Sequence, residues 1–564
     1  MGIKYPHLTA ERKSLGFLFQ LSSSCHEVAC HKYARELGTS LNQSIDPCEN
    51  LYDFVCGGRK TSSVRAEAEE RLYEQALTTA LWSSATSAHR SVAGKIGALV
   101  RSCLAISTHG LNELVQFLKD RHLPWPYHPK LNLLSILVDL SVNWNIHVWF
   151  EVVVPSTLDK NGSVQRPTIE FRNSAQLQAW FKTLSSLGHT PQHEDYLRRI
   201  FKLLGISKSR TRKMIPTIKA MDNLINNVLL PASVREHPKA MVLSFENMSR
   251  NLTPSVSTAN WIFLLSGCAL WAGPFSASDL VRVKNPSILL AVDYLLSLNS
   301  DIEEGLALSV GLRVIQEIGW MAHKDIDIHL RDTAPYRFTR RCQHQVEQMV
   351  GVAWFSLLSL PDGDNGLIKR IQSVLQEIGL PRGPAEGSLK GPWDLPSLVL
   401  PDQRETFFGN WMAYTQLHWN LTKNRNIMRM NSYQDWTWKF NVTVTPLMFS
   451  FPFYHKDMPS AVNYAGAGRL LARELLRAAQ GPAQLKLTVD TKSLLASLTA
   501  YRQESKTMRF SLGQAHGNTK DQLFFVASCY ALCSADQGGA ARRACNAPVK
   551  GLPDFRAAFQ CFGT

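Results

Sequence analysis

Glu474 stands between two arginines in the run Arg473-Glu474-Leu475-Leu476-Arg477. The spacing is that of an H-E-x-x-H helix. In such a helix two histidines four residues apart share one face and grip a metal, and the glutamate between them serves as general base. Here both histidine positions are arginine. A guanidinium offers no lone pair at usable pH, so Arg473 and Arg477 cannot be ligands, and they would repel a dication. Without a metal, Glu474 has no polarised water to deprotonate. Taken alone, the run is also that of an amphipathic helix with an internal ion pair.

The helix that must position these residues spans Pro459 to Ala478. Pro459-Ser460 is a turn and N-cap signal, and Gln480-Gly481-Pro482 is a stop. Between them Leu470, Leu471, Leu475 and Leu476 form an apolar stripe at helical period. Further on, Gln484 to Val489 alternates like a strand and leads through Asp490 into a helix from Ser493 to Arg502.

A chain of 564 residues exceeds a single core, so at least two lobes are expected. At 45% hydrophobic and 19% charged it is globular in composition. The net charge of +15 favours acidic surfaces such as sulfated glycans or anionic lipid, or serves solubility alone. No apolar run reaches the length of a membrane span; the best is Trp261 to Phe275. Residues 1–24 read as a poor signal or anchor segment. Aromatics are not interleaved with basic residues as in nucleic-acid binders, so no nucleic-acid partner is expected.

Along the chain, residues 64 to 120 read as helices. Trp144 to Val154 is strand-like, Asp159 to Gly162 is a turn, and Pro167 to Phe171 returns, which predicts a hairpin. From Tyr196 to Met221 there are eight Lys or Arg and no acid, either a solvated helix face or a patch for sulfate or phosphate groups. Residues 290 to 375 read as helical throughout. Within them His323, Asp325, Asp327 and His329 mix in a pattern more typical of a surface than of a metal site. The Gly- and Pro-rich stretch 380–400 is a connection. Six N-x-S/T sequons, at Asn42, Asn161, Asn247, Asn251, Asn420 and Asn441, permit glycosylation.

Longer motifs carry a resemblance. Asn463-Tyr464-Ala465-Gly466-Ala467-Gly468 ahead of the helix resembles the N-Y-G-G-I-G that precedes the zinc helix of the neprilysin and endothelin-converting-enzyme family of metalloendopeptidases. Asn441 to Pro446 and Phe451-Pro452-Phe453-Tyr454 resemble that family's N-x-I-x-x-P and P-P-F-F segments. Cys25-x4-Cys30 and Asp46 to Gly58, which holds Cys48 and Cys56, resemble its opening signature. Asp521 to Phe525 with Cys533, and Phe555 to Cys561, resemble its C-terminal motifs.

The resemblance covers residues 25 to 563. It implies a mainly α fold with small β elements: two lobes of the neprilysin, zincin-like type around a central cavity. The implied parts are 25–75 and 401–564 in the peptidase-type lobe and 76–400 in a second helical lobe. It also implies the disulfides Cys25–Cys30, Cys48–Cys561, Cys56–Cys533 and Cys103–Cys342, leaving Cys268, Cys529 and Cys545 over. In the family a third zinc ligand and an orienting carboxylate follow the helix. Lys486 stands at the ligand position and Asp490 at the orienting one. The segment between helix and third ligand is short here, and Asn431-Ser432-Tyr433 only loosely matches the family's substrate-gripping N-A-x-Y.

On this reading Glu474 is a remnant general base and Asp490 a remnant of the carboxylate that would orient a zinc-binding histidine. Arg473, Arg477 and Lys486 mark lost metal positions, and no cofactor is expected where the family has zinc. The expected function is a non-catalytic, extracellular glycoprotein homologue that binds a peptide or protein partner. The alternatives are an active zinc metalloendopeptidase, or a basic protein bound to acidic glycan or membrane surface. Geometry adds one expectation. Arg477 at i+3 pairs with Glu474, and Arg473, about 100° away on the helix, meets Asp490.

Overall fold

A computed structural model describes residues 27–59, 63–85, 91–106, 109–123, 132–153, 168–187, 191–235, 240–268, 274–327, 335–358, 365–377, 400–423, 446–480, 486–507, 517–534 and 539–561. It is mainly helical with one small sheet. The chain divides into two compact units. One comprises Met1–Ala88, Gly351–Leu398 and Asn431–Thr564, the other His89–Val350 and Val399–Met430. The expected boundaries at 75/76 and 400/401 are therefore corrected. Residues 351–398 belong with both chain ends, and 399–430 belong with the middle.

The middle unit holds the sheet: β1 (Phe150–Val153), β2 (Ile169–Asn173), β3 (Met241–Ser244) and β4 (Leu280–Val283), in the order β1-β2-β4-β3. β1 and β2 pair antiparallel with Val152 opposite Phe171, as the hairpin reading expects; its turn lies outside the described residues. β2 and β4 are parallel. The strand does not begin at Trp144. Leu133, Leu134, Leu137, Leu140 and Trp144 bury one face of the helix Leu133–Trp144, and left-handed Asn145 ends it. Ile169, Phe171, Val281 and Val283 are fully buried beneath the sheet. The helices Val92–Leu104 and Pro335–Val350 pack together and are joined by Cys103–Cys342, Cα to Cα 5.7 Å.

The basic stretch lies on two adjacent helices, Pro191–Leu203 and Lys208–Val234. His323 does not enter an α-helix. Its Nδ1 accepts the Asp325 backbone N–H at the start of a 3-10 turn, Lys324–Ile326, and Asp327 pairs with Arg341. His329 lies outside the described residues.

The unit that contains both chain ends is tied by disulfides. Cys48–Cys561 and Cys56–Cys533 form as the resemblance implies, with Cα separations of 5.7 and 5.4 Å. Both values suit an unstrained bridge. Cys25 lies outside the described residues. Cys529 and Cys545, left over in the sequence reading, are bonded to each other at 5.1 Å. Cys268 is the one free cysteine among the described residues.

Candidate functional site

The central helix is built in three pieces without a break. An α turn, Ser460–Asn463, passes into a π segment, Tyr464–Gly468, and then into α-helix Arg469–Gln480. π segments of this kind concentrate at functional sites. The chain before it folds back tightly. Asn463 clamps His455 from both sides, its Oδ1 accepting from the backbone N–H at 3.1 Å and its Nδ2 donating to the carbonyl at 2.9 Å. The Phe453 carbonyl accepts from the Ala467 N–H at 3.0 Å. A Cβ on Gly466 would sit 2.4 Å from that carbonyl oxygen, so only glycine allows this approach.

The next helix, Lys486–Thr507, packs along the motif helix, and Ser497 Oγ donates to the Tyr464 carbonyl. The strand-like alternation of 484–489 is thus overturned: helix begins at Lys486. Three apolar positions are too few to fix a period, and the buried face set by Leu494 and Leu498 decides it. Asp490 consequently sits in the first turns of this helix, buried against the motif helix.

Arg469, Arg473 and Arg477 recur at i, i+4 and i+8 and share a face of the motif helix. Each does something different. Arg469 is buried and donates from Nη1 to the Ser528 carbonyl at 3.0 Å and from Nη2 to the Ala544 carbonyl at 2.8 Å. Burial pushes its guanidinium down to about 10, with Asp490 opposing the fall and Arg473 adding to it. It stays charged at neutral pH. Arg473 Nε lies 2.9 Å from Asp490 Oδ1. The N–H is not aimed at the carboxylate, so this contact is an ion pair rather than an aligned hydrogen bond. Burial lowers the Arg473 value too, and Asp490 counters it. Arg477 Nη1 donates to Glu474 Oε1 at 2.8 Å. The two pairs are those that helix geometry leads one to expect.

The residues here do not fit zinc. A closed or catalytic zinc site needs at least three lone-pair donors converging on one point. The two helix positions offer guanidinium groups instead, and each carboxylate nearby is engaged by one of them. Lys486 occupies the first position of the following helix. Among the described residues no group of three or more His, Cys, Asp or Glu is placed to hold a metal. The cavity beside Gly466, Arg469, Arg473, Asp490, Ser528 and Leu532 has about 10 Å³ of space, room for one water at most.

Sequence reasoning missed Arg469 and the Cys529–Cys545 bridge beside it. Ser528 and Ala544, whose carbonyls Arg469 holds, immediately precede the two bonded cysteines. The i, i+4, i+8 recurrence of arginine was the available signal. Of the sequons, Asn42 is half-buried, with its Oδ1 accepting from Ser44, whereas Asn247 and Asn251 are exposed on the helix Phe245–Leu252. Asn420 falls in the helix Phe407–Lys423. Asn161, Asn441 and the segment Asn431 to Tyr433 lie outside the described residues.

A mainly helical scaffold, N-terminal cysteines bonded to the C-terminal segment, and a helix in the H-E-x-x-H frame together define the metallopeptidase class. Peptidase family M13 matches residues 47–357, more than half of the chain, and the chain belongs to that family, the neprilysin family, whose members normally use zinc. Two solved structures are similar in fold. The zinc metalloprotease Zmp1 of Mycobacterium tuberculosis, in complex with an inhibitor, is 16% identical, with a TM-score of 0.58 over 93% of this chain and 96% of that one. PepO from Lactobacillus rhamnosis HN001 is 12% identical, with a TM-score of 0.52 over 92% of this chain and 97% of that one. No curated protein matches the chain.

Proposed function

We propose that this chain is a non-catalytic member of family M13 that binds a peptide or an extracellular protein on a scaffold without zinc ligands. One observation carries the reading: guanidinium groups stand at both histidine positions of the zinc frame and are paired with Asp490 and Glu474. Glu474 is then a structural partner of Arg477 and not a general base. The disulfides Cys48–Cys561, Cys56–Cys533, Cys103–Cys342 and Cys529–Cys545 support an oxidising, extracellular setting.

The test is metal stoichiometry measured alongside peptide cleavage on the same sample. The expected result is no stoichiometric zinc and no cleavage of neprilysin-type peptides. Chelator-sensitive cleavage that disappears in Glu474→Gln would overturn the proposal in favour of an active metalloendopeptidase.

A second surface supports acidic-glycan binding. Lys202, Lys208, Arg212 and Lys213 are exposed on the two basic helices, and none has an ion-pair partner among the described residues. Arg198 and Lys219 are already engaged by Glu194. Retention on immobilised heparin that falls steeply with salt is the expected outcome. Retention no stronger than on a plain cation exchanger of equal charge density would count against it.

A further inference from the structure

We propose that Arg473 anchors a carboxylate group, so that the ligand held at the motif helix is a peptide or protein segment that presents one. The proposal rests on the zinc-free reading of this helix and names the ligand chemistry that replaces the metal.

The charge balance is the starting point. Arg469, Arg473 and Arg477 line one helix face, and Asp490 and Glu474 are the carboxylates that meet them. Three cations against two carboxylates leave one positive charge over. Arg65, on the helix Val64–Ala85, adds to the positive field at Arg473, although Glu69 holds its guanidinium. The cluster is therefore short of an anion.

The hydrogen bonds say where that anion belongs. Both terminal nitrogens of Arg469 are used on carbonyls. Arg477 is tied to Glu474 and is the most exposed of the three. Arg473 meets Asp490 through Nε alone, and poorly aligned. Among the described residues its two terminal nitrogens have no partner. Its side chain is 25% exposed, so the open edge of the fork can be reached from solvent. A planar guanidinium with a free edge is matched by the two oxygens of a carboxylate, in parallel charge-assisted bonds. The adjoining cavity, with about 10 Å³ of space, excludes a bulky ligand. The carboxylate therefore meets the exposed edge of the Arg473 guanidinium from the solvent side, and the ligand stays outside the cavity.

Binding to the full chain is measured by calorimetry with three probes. The first is an N-acetylated tetra-alanine with a free C-terminal carboxylate, and the second is its amide. The third is the amide carrying one internal glutamate. The expected result is that the free acid or the glutamate peptide binds about tenfold more tightly than the neutral amide. Which of the two does so assigns the carboxylate to a chain terminus or to a side chain. Arg473→Ala removes the preference, and Arg473→Lys, which lacks the fork, keeps only part of it. Asp490→Asn, which removes the competing carboxylate, raises the preference, a gain that partial unfolding cannot imitate.

Equal binding or no binding by all three probes overturns the inference, as does a preference indifferent to Arg473→Ala. Mass spectrometry of the recovered peptide separates the two readings. Chelator-sensitive cleavage overturns the zinc-free reading, whereas intact peptide with no carboxylate preference overturns only this inference.

Discussion

Arg473 Nε sits 2.9 Å from Asp490 Oδ1, so a cation on the motif helix neutralises the carboxylate that the following helix brings to it. An unpaired carboxylate there would be costly, because Asp490 is buried. The pairing therefore follows from burial. With Arg477 43% exposed, its bond to Glu474 is worth only about 0–1 kcal/mol.

The double substitution Arg473→His with Arg477→His is expected not to create a peptidase. It supplies two imidazoles and frees both carboxylates, yet Lys486, which the resemblance sets at the third-ligand position, carries an ammonium with no lone pair to offer. Zinc content and chelator-sensitive cleavage of the double variant are the measurements. Stoichiometric zinc with hydrolysis would show that a third ligand exists elsewhere in the chain.

Arg469→Ala is expected to be among the most damaging substitutions in the C-terminal segment. It deletes a buried guanidinium that satisfies the carbonyls of Ser528 and Ala544. Leaving buried carbonyls without partners, together with the space left behind, should cost about 2–4 kcal/mol. Arg469→Lys can reach only one of the two and should lose roughly half of that. Urea unfolding of the three proteins gives the order; a loss below about 0.5 kcal/mol for Arg469→Ala would contradict it.

Much of this was legible in the sequence. The helix around Glu474 ends where Gln480-Gly481-Pro482 says it should, because capping and stop signals are local. The Glu474–Arg477 pair follows from helix spacing alone. The pairings of Cys48, Cys56 and Cys103 came from motif resemblance and are present. What escaped depends on contacts distant in sequence. Asp490 lies on a helix and not beyond a strand, because packing against the motif helix overrides a short alternating run. The role of Arg469 depends on Ser528 and Ala544, dozens of residues further along the chain, whose carbonyls it holds. Cys529 lies one helical turn before Cys533, and spacing alone could not say which of them Cys56 would take.

The Cys529–Cys545 bridge closes a short loop, with a sequence separation of 16. Chain entropy assigns such a bridge about 3 kcal/mol. Replacing both cysteines by alanine should lower stability by roughly that amount. It should also loosen the Arg469 clamp, since both acceptor carbonyls adjoin the bridge. Hydrogen exchange at the Arg469–Gln480 helix reads the second effect. Unchanged protection there, together with lowered stability, would show that bridge and clamp act independently.

The last prediction concerns pH and the unit that contains the sheet. Asp222, on the helix Lys208–Val234, is buried and accepts a hydrogen bond from Ser309 Oγ at 2.6 Å, on the helix Ser300–Ile318. Burial pushes its carboxyl up from 3.8 to about 6, against the opposing pull of Ser309 and Arg313. The folded chain therefore holds this proton more tightly than the unfolded chain does. A raised acid makes stability fall as pH rises through the window between those two values, from about 4 to about 6, and the loss levels off above it. The full effect is at most about 3 kcal/mol, from roughly two units at 1.36 kcal/mol each. Asp222→Asn keeps an acceptor for Ser309 and carries no charge. The variant and the parent should be equally stable near pH 4, within about 0.5 kcal/mol. They should diverge between about pH 4 and 6, and at neutral pH the variant should be the more stable by about 1–3 kcal/mol. Comparing the two chains at each pH cancels every other titrating group. A difference that stays constant across the window, or a variant less stable at neutral pH, would show that the folded chain does not raise the Asp222 carboxyl.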